Sequence, residues 1–197
     1  MARPDPPARM PPVAPEDFTE ETNAFFARWT GGFLGGAQTN PVLTTFAHHP
    51  KLADVFSQFN IHLLLDNSLP VKQRQIAIMR TAWLTKAVYM WSSHLNTSMN
   101  CGLSDDMFDP VKAGANDPYF TEFESWVVRA TDELVADRKI SDEAWNALME
   151  EWDNRQMLDF MFTVGAYVAV AGVMRSTGAE RQEDLLELAE KYGAPEG

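Results

Sequence analysis

The sequence predicts an all-α fold in one domain of 197 residues. Apolar residues recur three or four positions apart along most of the chain, which is the spacing of one face of a helix. No segment combines a period-two apolar pattern with flanking hairpin turns, so no strand is predicted. The length fits one compact domain and leaves little room for two. We therefore expect about eight or nine helices around a single core.

The first fifteen residues form a separate segment, because they contain six of the twelve prolines. Proline lacks a backbone N–H and has a fixed φ, so residues 1–15 are predicted to be a flexible arm and not a helix. Two interpretations of the arm remain open: a free tail, or a strap that lies across a neighbouring subunit. Residues 16–197 are predicted to form the helical domain.

Capping residues and glycines divide this domain into its helices. The first helix begins at Pro15 and runs to about Trp29, and the glycine pairs at 31–32 and 35–36 end it. Asn40 and Ser141 are predicted N-caps, and the glycine at 102 ends the helix that starts near Lys86. The remaining predicted helices start at Pro50 and at Ser104, or run over 70–84, 119–136, 153–175 and 183–191.

Charge and composition exclude several classes of function. The chain has 16 basic and 28 acidic residues, and a net charge of −12 repels nucleic-acid backbones and anionic membrane surfaces. Its one cysteine, Cys101, permits neither an internal disulfide nor a multi-thiolate metal site. No two of the four histidines are three or four positions apart, and no nucleotide or cofactor motif occurs. We therefore expect neither a metal nor a cofactor.

The location of the protein is predicted from the same features. The longest strongly apolar stretch, 160–174, is too short to cross a bilayer comfortably. Prolines interrupt the N-terminal segment, so it does not resemble a signal peptide. Together with the single thiol, these observations predict a cytoplasmic protein that does not contact a membrane.

His94 is the first candidate site residue. It shares one helical face with Ala87, Met90 and Trp91, which lie at helical spacing and are apolar. The simpler interpretation, which the bare sequence favours, is a core histidine with one neutral hydrogen-bond partner. The functional interpretation is a half-buried imidazole that takes and returns a proton.

Other polar residues on the neighbouring segments also allow two interpretations. Gln75 stands next to other polar residues, which favours a position that faces solvent. Arg80 lies among apolar residues, and such an arginine usually pairs with a carboxylate of its own protein, although it could bind a substrate carboxylate instead. Asp159 follows Arg155 by four positions, which predicts an ion pair within one helix.

Residues 69–85, LPVKQRQIAIMRTAWLT, resemble the core of the carboxymuconolactone decarboxylase family, whose superfamily includes the alkylhydroperoxidase D-type proteins. The resemblance continues through 89–94 and 102–105, resumes in 132–134, 140–145 and 155–167, and spans roughly residues 40–178. It implies an alkylhydroperoxidase D-like helical fold and a homo-oligomer, either a trimer or a hexamer. It also implies an active site between the two helices that carry Gln75 and His94.

The sequence departs from this family at several functional positions. The peroxidase branch has a Cys-x-x-Cys-x-x-x-His pattern and a preceding glutamate, and the matching residues here are Ala87, Met90, His94 and Gln75. Dithiol peroxidase chemistry is therefore not expected. Decarboxylase-like relatives carry glutamates where this chain has Val88 and Met90. With no carboxylate at 75, 88 or 90, burial alone is expected to keep His94 neutral and able to act as a base.

The resemblance and the residues together predict a cofactor-independent lyase or isomerase, decarboxylase-like, that acts on a small cyclic or aromatic acid or lactone. His94 would be the general base, and Tyr89 or Gln75 would donate a hydrogen bond to the developing enolate. Arg80 or Arg74 would bind a substrate carboxylate. The residues expected to line an apolar pocket are Met79, Trp83, Met90, Trp91 and His62.

Two alternatives remain open. The protein could be a non-catalytic, oligomeric binding or scaffold member of the family that has lost the acid–base residues. A thiol peroxidase that uses Cys101 alone is the third hypothesis, although the chain has no second thiol to resolve it.

Overall fold

A computed structural model describes residue 5, residues 7–29 and residues 40–196. Within these residues the regular structure consists of ten α-helices, the short 3-10 helices Pro15–Asp17 and Asp105–Met107 and the π-helical turn His62–Asp66, without a strand. This confirms the all-α prediction, with slightly more helices than the expected eight or nine. The glycine break predicted at 31–36 lies outside the described residues. The helices are α1 Glu20–Trp29, α2 Pro41–Phe46, α3 Pro50–Ile61, α4 Val71–Leu84, α5 Val88–Asn100, α6 Phe108–Ala113, α7 Glu122–Asp137, α8 Asp142–Met149, α9 Asn154–Thr177 and α10 Glu183–Tyr192.

Local signals explain where several helices begin. The side chain of Asn40 accepts hydrogen bonds from the backbone N–H groups of residues 42 and 43, at 3.0 and 3.2 Å. Ser141 caps α8 in the same way through the N–H of residue 144, and Asp153 forms a capping box with Gln156 at the start of α9. The predicted caps at 40 and 141 are therefore confirmed.

Helix α4 lies at the centre of the molecule and packs against α5, α7 and α9. Nine consecutive residues, 74–82, are buried, so every face of this part of the helix contacts protein. Burial of a large apolar side chain such as Ile76 contributes about 1.5–3 kcal/mol. Three of the nine residues are polar and long: Arg74, Gln75 and Arg80. Their hydrogen bonds therefore have to be made inside the protein.

The described part of the N-terminal arm lies on its own chain. The carboxylate of Asp5 forms an ion pair with the guanidinium of Arg181, with 2.7 Å between Oδ1 and Nη2. Two successive backbone N–H groups, of residues 9 and 10, donate to the carbonyl of Thr177. Farther along, the N–H of Val13 donates to the carbonyl of Thr44. The arm thus joins the end of α9 to α2, an arrangement that neither sequence interpretation included.

Helix α9 is the one described helix that is long and apolar enough to cross a membrane by length and composition. Its 24 residues extend beyond the apolar stretch 160–174 on which the sequence-based expectation rested. Buried residues such as Phe160 and Tyr167 place one face against the core. The opposite face carries an exposed apolar stripe that includes Leu158, Phe162 and Val173. Core helices of soluble proteins have the same length and apolar composition.

Candidate active site

A cavity of about 170 Å³ lies between α2, α3, α5 and α9. An apolar cavity of about 150 Å³ is large enough to hold benzene, so this one has room for a single ring. The lining is mixed, with aliphatic and aromatic walls and a few polar groups. It consists of Asn40, Val42, Leu43, Phe46, Phe56, Asn60, Leu64, Tyr89, Met90, Ser93, His94, Thr97, Tyr167, Val170 and Met174.

A hydrogen bond to the central helix α4 holds His94 at the wall of this cavity. Its Nδ1 lies 2.9 Å from Oε1 of Gln75 on α4, and His94 is only 7% exposed. A carbonyl oxygen only accepts, so Nδ1 carries the proton and Nε2 keeps its lone pair. Nε2 has no hydrogen-bond partner among the described residues. The ring of Tyr167 packs edge-on against the imidazole, with 5.1 Å between centroids.

Burial and charge both keep this imidazole neutral. Burial lowers the pKa of His94 to about 3, and the positive charge of Arg74 contributes in the same direction. At neutral pH the ring is therefore an acceptor at Nε2, in the tautomer that Gln75 selects. A neutral imidazole of this kind can take a proton from a bound molecule but has none of its own to give at Nε2.

The two tyrosines of the cavity stay protonated at neutral pH. Burial, and then the charge of Asp184, raises the pKa of Tyr89 to about 12. Its hydroxyl donates a long hydrogen bond of 3.4 Å to Oε1 of Gln182. Burial also raises the pKa of Tyr167, against the opposing effect of Arg74. Both hydroxyls are therefore available as neutral hydrogen-bond donors.

The structure brings together His94, Gln75, Tyr89 and Met90 from the predicted site. Tyr89 and Met90 line the cavity with His94, and Gln75 is fully buried behind it. The default expectation that Gln75 faces solvent is therefore wrong. The oxygen of its side chain also accepts a hydrogen bond from Ser98, at 3.3 Å.

The expected place of the pocket is corrected, because none of the predicted pocket residues other than Met90 lines the cavity. Met79 and Trp91 are fully buried in the core. Trp83 packs edge-on against Trp91 at 5.1 Å, and Nε1 of Trp91 donates to the carbonyl of Gly193 at 2.7 Å. These side chains fill the seam between α4 and α5, so the open space lies where α5 faces α2, α3 and α9.

Arg80 is removed from the proposed site, because its donors bind groups of its own chain. Nε and Nη2 donate to the two carboxylate oxygens of Asp132, at 2.6 and 3.0 Å. Nη1 donates to the carbonyls of Val111 and Lys112, at 2.9 and 2.8 Å. Four of its five N–H donors are therefore used within the chain, and Arg80 is only 8% exposed, so the contacts support its structural interpretation.

His62 is also placed away from the cavity. Its Nε2 lies 2.9 Å from Oδ1 of Asp159, and the other carboxylate oxygen accepts hydrogen bonds from the N–H and hydroxyl of Ser68. Burial alone would raise the pKa of Asp159, but these hydrogen bonds lower it. Asp159 therefore ties the π-helical turn His62–Asp66 to α9, and the ion pair expected with Arg155 is wrong.

Arg74, the remaining predicted residue, is buried beside the site without a partner. It is 7% exposed, and neither a hydrogen bond nor an ion pair engages its side chain within the described residues. Arg74 is not among the residues that line the cavity, but its charge acts on His94 and Tyr167, which are.

Several residues that line the cavity were not predicted from the sequence. Ser93 and Thr97 flank His94 on α5, and helical spacing around His94 could have identified them. The walls from α2 and α3, such as Phe46 and Phe56, depend on how distant segments pack, and no local signal identifies them. Cys101 is exposed and does not line the cavity. Among the described residues, no group of three His, Cys, Asp or Glu side chains could hold a metal ion.

Comparison with known proteins rests on structure alone, because no family model and no curated protein matches the chain. One similar structure is the debrominase Bmp8, as a variant in complex with 2,3,4-tribromopyrrole. The TM-score is 0.71 at 11% identity, over 95% of this chain and 99% of that one. Another is a protein of unknown function from Agrobacterium tumefaciens, described as a candidate antioxidant defence protein AhpD. Its TM-score is 0.65 at 13% identity, over 70% of this chain and 94% of that one. The chain therefore has the alkylhydroperoxidase D-like helical fold.

Proposed function

We propose that the protein is a cofactor-independent enzyme of the lyase or isomerase class, decarboxylase-like, which moves a proton on a small cyclic or aromatic acid or lactone. The observation that carries the proposal is the neutral imidazole of His94, oriented by Gln75 at 2.9 Å, at the wall of a ring-sized cavity. A buried histidine that only stabilised the core would not need open space beside it. The structural resemblance to a debrominase, which has catalytic activity, is in keeping with an enzyme.

In the proposed step, Nε2 of His94 takes a proton from a carbon next to a carbonyl group. The C–H bond breaks, its electron pair forms the enolate, and the new N–H bond makes the ring an imidazolium. The imidazolium then returns the proton to another atom of the substrate. The hydrogen bond that Nδ1–H of His94 donates to Oε1 of Gln75 holds the ring in the tautomer that this step requires.

Tyr89 is a hydrogen-bond donor that lines the cavity on the same helix as His94. Its hydroxyl stays protonated and makes only a long bond to Gln182, so it can turn to a developing enolate oxygen. A donor placed before the reaction stabilises the transition state more than water does, because it needs no reorganisation. The apolar walls strengthen this interaction by excluding water.

The low pKa of His94 limits how strong a base the free protein offers. A base works best when its pKa lies near the working pH. The enolate that forms next to the ring is negatively charged, and a negative charge close by raises the pKa of an imidazole. The base therefore becomes stronger as the reaction proceeds, at the atom where the charge develops.

Small rings are the ligand class that the cavity size favours. The debrominase of similar fold binds a brominated pyrrole, which is a single ring. A thiol mechanism is less well supported for this chain, because no cysteine lines its cavity and Cys101 is exposed. We retain membership of the carboxymuconolactone decarboxylase family, and a cytoplasmic location in keeping with a single exposed thiol, as parts of the proposal.

We also propose a homo-oligomer, either a trimer or a hexamer, as the family resemblance implies. Phe59 of α3 and Phe162 of α9 pack edge-on at the surface, 6.0 Å apart, and both are exposed. Exposed apolar side chains in contiguous patches are typical of interfaces between subunits. Phe162→Glu should lower the molar mass measured by light scattering, whereas Trp145→Glu on α8 should not. An unchanged mass for both variants would contradict this assembly.

Deuterium exchange tests the proposed reaction without knowledge of the natural substrate. The protein is incubated in D₂O with a panel of cyclic keto acids, lactones and aromatic acids that carry a C–H next to a carbonyl group, and NMR follows the loss of these protons. We expect exchange with at least one compound, and a loss of about 10²–10⁴-fold in His94→Gln. His48→Gln, a change of an exposed histidine, is the matched control. If no compound exchanges, or if His94→Gln exchanges normally, the binding or scaffold alternative is favoured.

A further inference from the structure

Two arginines on α4 are equally buried but differ completely in their partners. Arg74 is 7% exposed and Arg80 is 8% exposed. Arg80 has a carboxylate and two carbonyls as acceptors, whereas Arg74 has no acceptor among the described residues. A buried charge normally has a counterion and hydrogen bonds, because its transfer from water costs several kcal/mol. Arg74 therefore lacks the counterion and the hydrogen-bond acceptors that Arg80 has.

Unsatisfied buried donors occur on the part of α4 that contacts His94. Only three buried side-chain N or O atoms in the described part of the chain lack a hydrogen-bond partner: Nε of Arg74, Nε2 of Gln75 and Oγ of Ser57. Two of the three belong to consecutive residues of α4, and both are N–H donors. Gln75 is at the same time the residue that binds Nδ1 of His94. The site therefore offers unused donors and a positive charge, which together fit an oxyanion.

The chain has enough carboxylates to neutralise Arg74, but none is placed there. It has 28 acidic residues against 16 basic ones, and the described carboxylates that form ion pairs do so with other cations. The charge of Arg74 acts on His94 and on Tyr167, both of which line the cavity. Arg74 itself does not line the cavity, but it directly precedes Gln75, whose side chain holds His94 at the cavity wall.

We propose that Arg74 and Gln75 form an anion subsite that binds the carboxylate of a cyclic or aromatic acid whose ring occupies the cavity beside His94. This inference rests on the proposed function and narrows its substrate class to acids, so that uncharged lactones become poor ligands. A guanidinium binds a carboxylate through two parallel N–H donors, which also fixes the orientation of the ring.

Binding of the carboxylate also prepares the base. Burial and Arg74 are the two causes that lower the pKa of His94, and Arg74 is the charged one. The other titratable groups that face His94 at the cavity, Tyr89 and Tyr167, are uncharged at neutral pH. A carboxylate bound to Arg74 neutralises its effect, so the pKa of His94 rises when the substrate is present. The base is then strengthened by the molecule on which it acts.

Benzoate and its uncharged isostere benzamide are suitable probes, because they differ in charge and share the ring. Titration calorimetry at pH 7 should give at least tenfold tighter binding of benzoate than of benzamide to the unmodified protein. Arg74→Met should abolish this preference, and Arg74→Lys should keep part of it, since lysine has the charge but not the planar fork. Arg129→Met, which removes the same charge from an exposed position on α7, should leave the preference unchanged.

Folding is controlled by comparing thermal unfolding of the variants without ligand. Arg74→Met removes a buried charge that has no counterion, so it should unfold at the same temperature as the parent protein or higher. Arg80→Met should unfold at a lower temperature, because it leaves Asp132 without its partner. Benzoate should raise the melting temperature of the parent and not of Arg74→Met.

Three results would overturn the inference. The parent protein could bind benzoate no better than benzamide, or not at all. Arg74→Met could keep the preference for benzoate. The third result combines two measurements: the parent protein does not bind benzoate, and Arg74→Met has a lower molar mass in light scattering. That combination would assign the missing acceptor to a second copy of the chain. These results concern ligand binding and subunit assembly, so a failure of the proposed catalysis, which His94→Gln tests, remains distinguishable.

Discussion

Restoration of a carboxylate at position 75 tests the electrostatics of the site directly. In Gln75→Glu, a carboxylate oxygen replaces the amide oxygen that accepts the hydrogen bond from Nδ1 of His94 at 2.9 Å. The carboxylate also lies next to Arg74, which has no counterion among the described residues. We expect the glutamate to be ionised, because Arg74 and His94 both favour its charged form.

The expected magnitude follows from the distance. Two unit charges about 4 Å apart interact with about 4 kcal/mol at an effective dielectric constant of about 20. Each pH unit of pKa corresponds to about 1.4 kcal/mol, so the upper limit is a rise of about three pH units. Measured effects of a neighbouring opposite charge are about one to three units. The pKa of His94, lowered to about 3 by burial and by Arg74, should therefore rise by that amount.

An NMR titration of the His94 ring measures this change, followed through the chemical shift of Cε1–H between pH 3 and 8. Gln73→Glu is the matched control, since Gln73 lies on the same helix but accepts its hydrogen bond from Trp152. That variant should leave the titration of His94 unchanged. If Gln75→Glu also leaves it unchanged, the placement of Gln75 against His94 is refuted.

Three further predictions concern stability. Because the pKa of His94 is about 3 when folded and about 6.5 when unfolded, the unfolded chain binds more protons between these values. The free energy of unfolding should therefore fall by at most about 5 kcal/mol as the pH drops from 6.5 to 3. Chemical denaturation should show a smaller fall in the free energy of unfolding for His94→Gln over the same pH range. Asp132→Ala should lower the free energy of unfolding by about 3 kcal/mol, which is at the low end for a buried ion pair because Asp132 is partly exposed. A loss below about 0.5 kcal/mol in chemical denaturation is typical of a surface substitution and would argue against the ion pair. Gly178→Ala should cost about 1–2 kcal/mol, because φ is +73° there and the added Cβ would lie 3.3 Å from the backbone N of Arg9; an unchanged melting temperature would contradict the packing of the arm on α9.

Local features of the sequence sufficed for most of the helices. The predicted start of the first helix at Pro15 is wrong, because Pro15–Asp17 form a separate 3-10 helix and α1 begins at Glu20. Caps such as Asn40 and Ser141 act within three residues of themselves, so their effect does not depend on the rest of the fold. The same holds for Gly102, which has a positive φ of 78° after the end of α5. The arm was missed because its hydrogen bonds connect residues 9 and 10 to Thr177, far along the chain.

The site was predicted in part, and the reason is again distance along the sequence. His94 could be named because it is a polar residue on an otherwise apolar helical face, and Gln75 because the family resemblance implies an active site between their two helices. The sequence could not choose between the two interpretations of Arg80, since its partner Asp132 is 52 positions away. Arg74 was named as a candidate ligand of a substrate carboxylate, but its burial depends on the packing of α4 against α5 and α9, which no local signal reports.

The central claim is that His94 is a neutral base whose lone pair at Nε2 is open to a ligand. Nitrogen-15 NMR of the imidazole ring reports protonation and tautomer for each nitrogen separately. Between pH 5 and 8 we predict a protonated Nδ1, an unprotonated Nε2 and no titration. A ring that titrates near pH 6.5, or one that carries its proton on Nε2, would contradict the account.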